Sequence, residues 1–155
     1  MKTRLIIITC LASLFSGCLV EPDKSNIPNA TVNFYIDVSL SGTDYYLADG
    51  SLGNSKIYTK NQPSKLSPNG SYGYSGVVVV RAYDNKLYAF DICCTNEVNK
   101  DIALKSDGFF LKCPKCGSTF EIGNGTGVPN SGPASTPLKK YHTSQNSAQK
   151  IRIYN

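Results

Sequence analysis

The sequence contains no tryptophan, one histidine (His142) and one methionine (Met1). A single histidine excludes, within this chain, any metal site that needs two imidazoles. It also gives a Ser–His–Asp hydrolase little to work with. Neither sign of charge dominates, with 16 Lys and Arg against 11 Asp and Glu. The formal net charge is +5, and Lys2 and Arg4 supply two of those charges. The remaining surplus is scattered, which argues against nucleic acid as a partner. No apolar run is long enough to span a bilayer; the longest, Leu5 to Phe15, is too short for a stable crossing helix. There is no internal repeat and no convincing amphipathic helix.

What is abundant points one way. Gly, Pro, Ser, Thr and Asn are plentiful, and there are 10 tyrosines. This is the composition of a β-rich extracytoplasmic domain. The start of the chain agrees. Met1-Lys2-Thr3-Arg4 is a short positive region, followed by the Leu5–Phe15 run and then Ser16-Gly17-Cys18. That pattern resembles the lipobox of bacterial lipoproteins, with Phe15 where Leu is usual. The resemblance implies cleavage before Cys18, acylation of its sulfur and stable attachment to a membrane. Leu19 after the cysteine, in place of Asp, implies the outer membrane of the cell envelope. Residues 1–17 then form a signal peptide, 18–30 a lipidated tether and 31–155 one β domain. Without lipidation, the segment reads as an ordinary secretory signal.

Within the domain, Thr31 to Leu40 alternates cleanly, with Val32, Phe34, Ile36 and Val38 on one face. Tyr45 to Leu52 is a weak strand or loop, and Lys56 to Thr59 a short strand. Gly76 to Tyr83 carries four successive valines and reads as a strand buried on both faces. Asp84-Asn85 turns it into a second arm, Lys86 to Ile92. Ile102–Leu104 and Phe109–Lys112 flank a turn at Ser106-Asp107-Gly108. Gly117 to Ile122 is a further strand, Gly123 to Thr136 a long loop, and Leu138–Thr143 with Gln149–Tyr154 a closing hairpin. The class is all-β, a small sandwich or barrel.

Chemistry concentrates at four cysteines. Cys93 and Cys94 end one apolar arm. Cys113 and Cys116 lie on the Pro/Gly turn of Leu111–Glu121. Two such tips can meet. Cysteine pairs so placed serve a structural zinc, an iron–sulfur centre or disulfides. Adjacent residues of an extended strand face opposite ways, so Cys93 and Cys94 share one ion only if the backbone turns between them.

The surroundings resemble the Rieske iron–sulfur domain, whose ligand pattern is C-x-H, about sixteen residues, then C-x-x-H followed by Gly-Ser and an aromatic. Here Cys94-Thr95-Asn96 is followed by Glu97 to Lys112, then by Cys113-Pro114-Lys115-Cys116-Gly117-Ser118 and Phe120. Gly132-Pro133-Ala134 and Pro137-Leu138 match the loop and hairpin that follow, and Lys86–Phe90 matches the arm entering the first ligand loop. The resemblance spans about Val77 to Tyr154. It implies small antiparallel sheets with two hairpin ligand loops, a [2Fe–2S] cluster, and electron transfer with a redox partner. The sequence departs at both histidine positions, which hold Asn96 and Cys116. A His₂Cys₂ cluster therefore cannot be built in its usual form.

Two readings of the site follow. In one, Cys94, Cys113 and Cys116 bind a metal or cluster, with Cys93, Asn96 or Glu97 as a fourth contact; zinc is an alternative to [2Fe–2S]. In the other, no metal binds and Cys94–Cys113 forms a disulfide, leaving a structural or binding module. No catalytic residue is assigned, and oxidoreductase-type electron transfer is the most the chain would perform. Asp91 and Glu97, beside the cysteines, read as solvated carboxylates. Tyr45-Tyr46, Tyr72 and Tyr74 read as packing over a sheet edge, and His142 as an exposed strand residue.

Overall fold

The computed structural model describes residues 24–61, 70–145 and 149–155. The leader, Cys18 and the first residues of the tether lie outside them. The strands, in order, are β1 (Asn33–Asp37), β2 (Ser55–Tyr58), β3 (Val77–Arg81), β4 (Leu87–Asp91), β5 (Lys105–Asp107), β6 (Phe110–Lys112), β7 (Thr119–Glu121), β8 (Val128–Ser131), β9 (Lys140–Gln145) and β10 (Lys150–Tyr154). They form a six-stranded sheet, β1-β10-β9-β4-β3-β2, and a four-stranded sheet, β5-β6-β7-β8. All pairings of these strands are antiparallel. The fold is all-β, with the two loop-bearing hairpin arms that the Rieske resemblance implies.

The valine run explains how the two halves are joined. Every residue of β3 is buried. Val77 and Val79 face one core with Phe34, Tyr58, Tyr72 and Tyr141; Val78 and Val80 face a second with Phe90, Leu111, Phe120 and Leu138. A strand between two apolar layers needs no polar face, which is why the alternation vanishes there. Each buried valine contributes roughly 1.5–3 kcal/mol relative to exposure.

The same parity aims the cysteines. Along β4 and beyond it, Phe90, Ile92 and Cys94 share the second core's face, as do Leu111 and Cys113 along β6. Cys94 and Cys113 are thus carried to one place by the period of two. Cys93 has the opposite parity.

Several expectations shift. Ser106 and Asp107 are strand, not turn: β5 and β6 pair Asp107 with Phe110 across a two-residue turn at Gly108-Phe109. The long loop after Gly123 contains β8, pairing with β7 through a register shift. β8 holds Pro129 and lies at the sheet edge. Proline is tolerated there because an edge strand has N–H groups with no ladder partner. Tyr45–Leu47 is a 3₁₀ turn that buries Leu47. Tyr45 and Tyr46 are exposed, whereas Tyr72 is a core residue against Phe34. The segment expected as a tether runs along the domain at its described end. Ile27 is buried, and Asn26 Nδ2 donates to the Thr95 carbonyl at 2.8 Å.

Candidate metal centre

Cys94, Cys113 and Cys116 form a compact triad, their three Sγ atoms all within 4.8 Å of one another. Cys94 and Cys113 are fully buried and Cys116 is half-buried. All four described cysteines are free thiols. The sulfurs of Cys94 and Cys116 lie 3.6 Å apart.

Each loop is built to present sulfur. After Cys94 the chain curls so that Glu97 N–H and Val98 N–H both donate to the Cys94 carbonyl, at 3.2 and 2.8 Å. The curl aims the N–H groups of Asn96 and Glu97 at the Cys94 sulfur. It puts Val98 at φ 45°. A β-branched residue there carries backbone strain of order 1–3 kcal/mol. The second loop is a tight knuckle. Cys113 N–H donates to the Ser118 carbonyl at 2.8 Å, and Gly117 N–H to the Cys113 carbonyl at 3.1 Å. Gly117 takes φ +75° to close it. The Ser118 backbone N–H points at the Cys116 sulfur, which also lies 3.1 Å from Ser118 Oγ.

A third segment covers the pair. Ala134 N–H donates to Ser118 Oγ at 3.1 Å, and Thr95 Oγ1 donates to the Thr136 carbonyl at 2.7 Å. Gly132 passes so close that a Cβ would lie 2.6 Å from the Ser118 Cα. Ser118, which sequence reasoning did not single out, is therefore the hub joining knuckle, sulfur and covering loop. Its only signal was the Gly-Ser pair after Cys116.

The electrostatics differ between the sulfurs. Burial pushes the Cys94 thiol up to about 12, against the pull of the Glu97 and Asn96 N–H groups, with Cys113 and Cys116 pushing further up. Burial acts to raise Cys116 as well. There the Ser118 hydroxyl and N–H, with the Cys113 and Cys94 thiols, outweigh it and hold the group below the ordinary thiol value. Glu97 sits beside Cys116 with only 12% of its side chain exposed, and its Oε2 pairs with Lys115 Nζ at 2.6 Å. That hydrogen bond is the main reason its carboxyl falls below the usual range, aided by Lys115's charge, Asn96 and Cys116.

Cys93 stands outside the triad. Its sulfur faces the carbonyls of Cys94 and Asn99, at 3.6 and 3.7 Å. Asn96 is exposed, its amide 3.3 Å from Glu97 Oε1. His142 is exposed on β9 against Tyr154, as expected.

Asp91 corrects an expectation. Sequence reading made it a solvated carboxylate; it is fully buried. It accepts hydrogen bonds from Tyr141 Oη and Tyr74 N–H at 2.8 Å, Cys93 N–H at 2.9 Å and Ser75 N–H at 3.3 Å. Burial pushes its carboxyl above the usual range, and those four donors pull it back. Four donors converging on one carboxylate tie the backbone at Cys93 to that of Tyr74 and Ser75, immediately before the first ligand loop.

A histidine-ligated [2Fe–2S] cluster does not fit these residues. The domain's only imidazole is His142 on β9, and the described cysteines converge three at a time. What does fit is a cation that accepts three closely spaced thiolates. Binding such a cation would displace the thiol protons, against burial at Cys94 and with the help of the Ser118 donors at Cys116.

No family model matches the chain, and no curated protein matches it. Among solved structures it is similar to a chain of the complex of reduced oxygenase and oxidized ferredoxin in carbazole 1,9a-dioxygenase. That chain is 16% identical, the match covers 81% of this chain and 94% of that one, and the TM-score is 0.48. The ferredoxin of carbazole 1,9a-dioxygenase from Nocardioides aromaticivorans IC177 is 18% identical over 66% of this chain and 85% of its own, with a TM-score of 0.39. The Sphingomonas yanoikuyae B1 ferredoxin is 17% identical over 81% and 99%, with a TM-score of 0.43.

Proposed function

We propose that this Rieske-like β domain is a thiolate metal-binding module of the bacterial cell envelope, anchored to the outer membrane through acylated Cys18. Its centre is Cys94, Cys113 and Cys116. The observation that carries this reading is the convergence of three sulfurs within 4.8 Å, two of them receiving backbone N–H groups. N–H···S bonds stabilise thiolate charge and are of most use when a metal keeps the sulfurs deprotonated.

With a redox-active ion, the site serves one-electron transfer. Cys116 lies at the surface, in a groove flanked by Lys105, Lys112 and Lys115. Lys105 and Lys112 sit directly opposite each other on β5 and β6. Like charges so placed repel, and an acidic face on a redox partner relieves them.

The experiment is elemental analysis with optical and EPR spectra on protein purified without oxygen, together with a count of free thiols. Stoichiometric metal supports the reading. Metal-free protein whose thiols are reduced, or paired as disulfides, sinks it. The close approach of the triad's sulfurs favours a disulfide module as the second reading, with Cys94 bridged to Cys113 or to Cys116, which lies 3.6 Å from it. Acyl labelling of the intact chain and of Cys18→Ala tests the anchor; equal labelling of both removes it.

A further inference from the structure

We infer that the triad holds one soft divalent cation in a tetrahedral site, with the thiolates of Cys94, Cys113 and Cys116 as ligands and the Glu97 carboxylate closing the fourth position. This rests on the metal-binding reading above and narrows it from "a metal or cluster" to a single ion.

Sulfur spacing carries the inference. A tetrahedral ion with metal–sulfur bonds of about 2.3 Å sets its ligand sulfurs about 3.8 Å apart. The Cys94–Cys116 separation is 3.6 Å, and every Sγ pair of the triad falls within 4.8 Å. All three sulfurs therefore fit around one centre. A two-iron cluster instead places two terminal ligands on each of two metal atoms and needs four in all. The fourth cysteine, Cys93, has opposite strand parity, and its sulfur faces the carbonyls of Cys94 and Asn99.

Glu97 lies at the rim of the triad, three residues after Cys94, with only 12% of its side chain exposed; its carboxylate is outside the 4.8 Å cluster of sulfurs. Its N–H faces the Cys94 sulfur and its carboxyl is held low in part by Cys116, so backbone and side chain both neighbour the site. Lys115 holds Oε2, and Oε1 has the 3.3 Å approach of Asn96 Nδ2. Coordination requires this carboxyl to swing toward the sulfurs, bringing Oε1 to the metal while Lys115 keeps Oε2. Three thiolates and a carboxylate around a dication leave a net charge of about −2, which Lys115 offsets in part. Three sulfurs with one oxygen suit Zn²⁺ or Fe²⁺ better than the hard cations Mg²⁺ and Ca²⁺.

The test uses the full-length chain in detergent, reduced and stripped of metal, titrated with Co²⁺ and then Zn²⁺. The expected result is one Co²⁺ per chain with thiolate-to-cobalt charge transfer and the intense ligand-field bands of a tetrahedral site, displaced by one equivalent of Zn²⁺. Cys113→Ser removes the tetrahedral spectrum, and Cys93→Ser leaves it intact. Glu97→Ala shifts the ligand-field bands and weakens Zn²⁺ binding by about tenfold to a hundredfold. Circular dichroism of each variant separates loss of the site from loss of the fold. Two metals per chain, or a Cys93→Ser variant that loses the spectrum, overturns the single-ion site while leaving metal binding standing. A Glu97→Ala spectrum and affinity equal to wild type overturns the fourth ligand. A chain that takes up neither metal overturns the metal reading itself, and this inference with it.

Discussion

The sulfurs of Cys94 and Cys116 lie 3.6 Å apart although 22 residues separate them in the chain. They belong to different sheets: Cys94 follows the last inward-facing residues of β4, and Cys116 sits on the knuckle between β6 and β7. Their meeting depends on the shared core of Phe90, Ile92, Leu111 and Phe120, which packs the two sheets together. The site is thus a joint as much as a ligand set.

Ser118→Ala removes the hydroxyl that lies 3.1 Å from the Cys116 sulfur and 3.1 Å from Ala134 N–H. A buried backbone donor is left without its acceptor, at a cost of about 1–3 kcal/mol. Chemical denaturation should show that loss. Metal affinity should fall by about tenfold or more, because an outer contact of a ligand is gone. Ser118→Thr, which keeps the hydroxyl, should recover more of the affinity than of the stability.

Gly132→Ala tests the covering loop. Gly132 has φ +89°, and an added Cβ would meet the Ser118 Cα at 2.6 Å. Backbone must move, and the strain of a non-glycine residue at positive φ adds about 1–3 kcal/mol. A drop in melting temperature with faster alkylation of Cys116 is the expected outcome. An unchanged alkylation rate would mean that the loop does not guard the sulfur.

Asp91→Asn replaces an acceptor-only group with one that must also present donors. All four of its neighbours are donors. One N–H is then forced against another, and the variant should lose about 1–3 kcal/mol. The wild-type group also leaves a pH signature. Burial raises its carboxyl in the folded state, so the folded chain holds a proton that the unfolded chain has released. That contribution to stability is fully present below the unfolded value of about 3.9 and is lost as pH rises through the folded one. Denaturation midpoints measured across acidic pH should show this decline in wild type and not in Asp91→Asn.

Cys93→Ser separates the adjacent cysteines. Cys93 is buried outside the triad. The substitution should cost about 1–2 kcal/mol of stability through a poorer fit in a buried site. Metal stoichiometry should match wild type. The same change at Cys94 or Cys113 should abolish stoichiometric binding.

Much of this was legible in the sequence, and for definite reasons. The alternation over Val32–Val38 and the four valines of β3 report burial directly, so the larger sheet could be read. The spacing from Cys94 to Cys113 and the C-P-x-C-G turn placed three of the four cysteines together. Opposite strand parity also set Cys93 apart. Other features depend on long-range packing that leaves no local mark. β8 is disguised by Pro129, which only an edge position tolerates. Asp91 looks like any loop carboxylate until Tyr74, Ser75, Cys93 and Tyr141 are brought around it from separate segments. Ser118 is one serine among many until Gly132 and Ala134 fold over it.

The most direct test of the central claim is X-ray absorption at the metal edge of the anaerobically purified chain, with metal content measured on the same sample. A single-ion site gives one metal ion per chain, a shell of three sulfurs near 2.3 Å with one lighter atom, and no metal–metal vector. An iron–iron vector with bridging sulfide would contradict it.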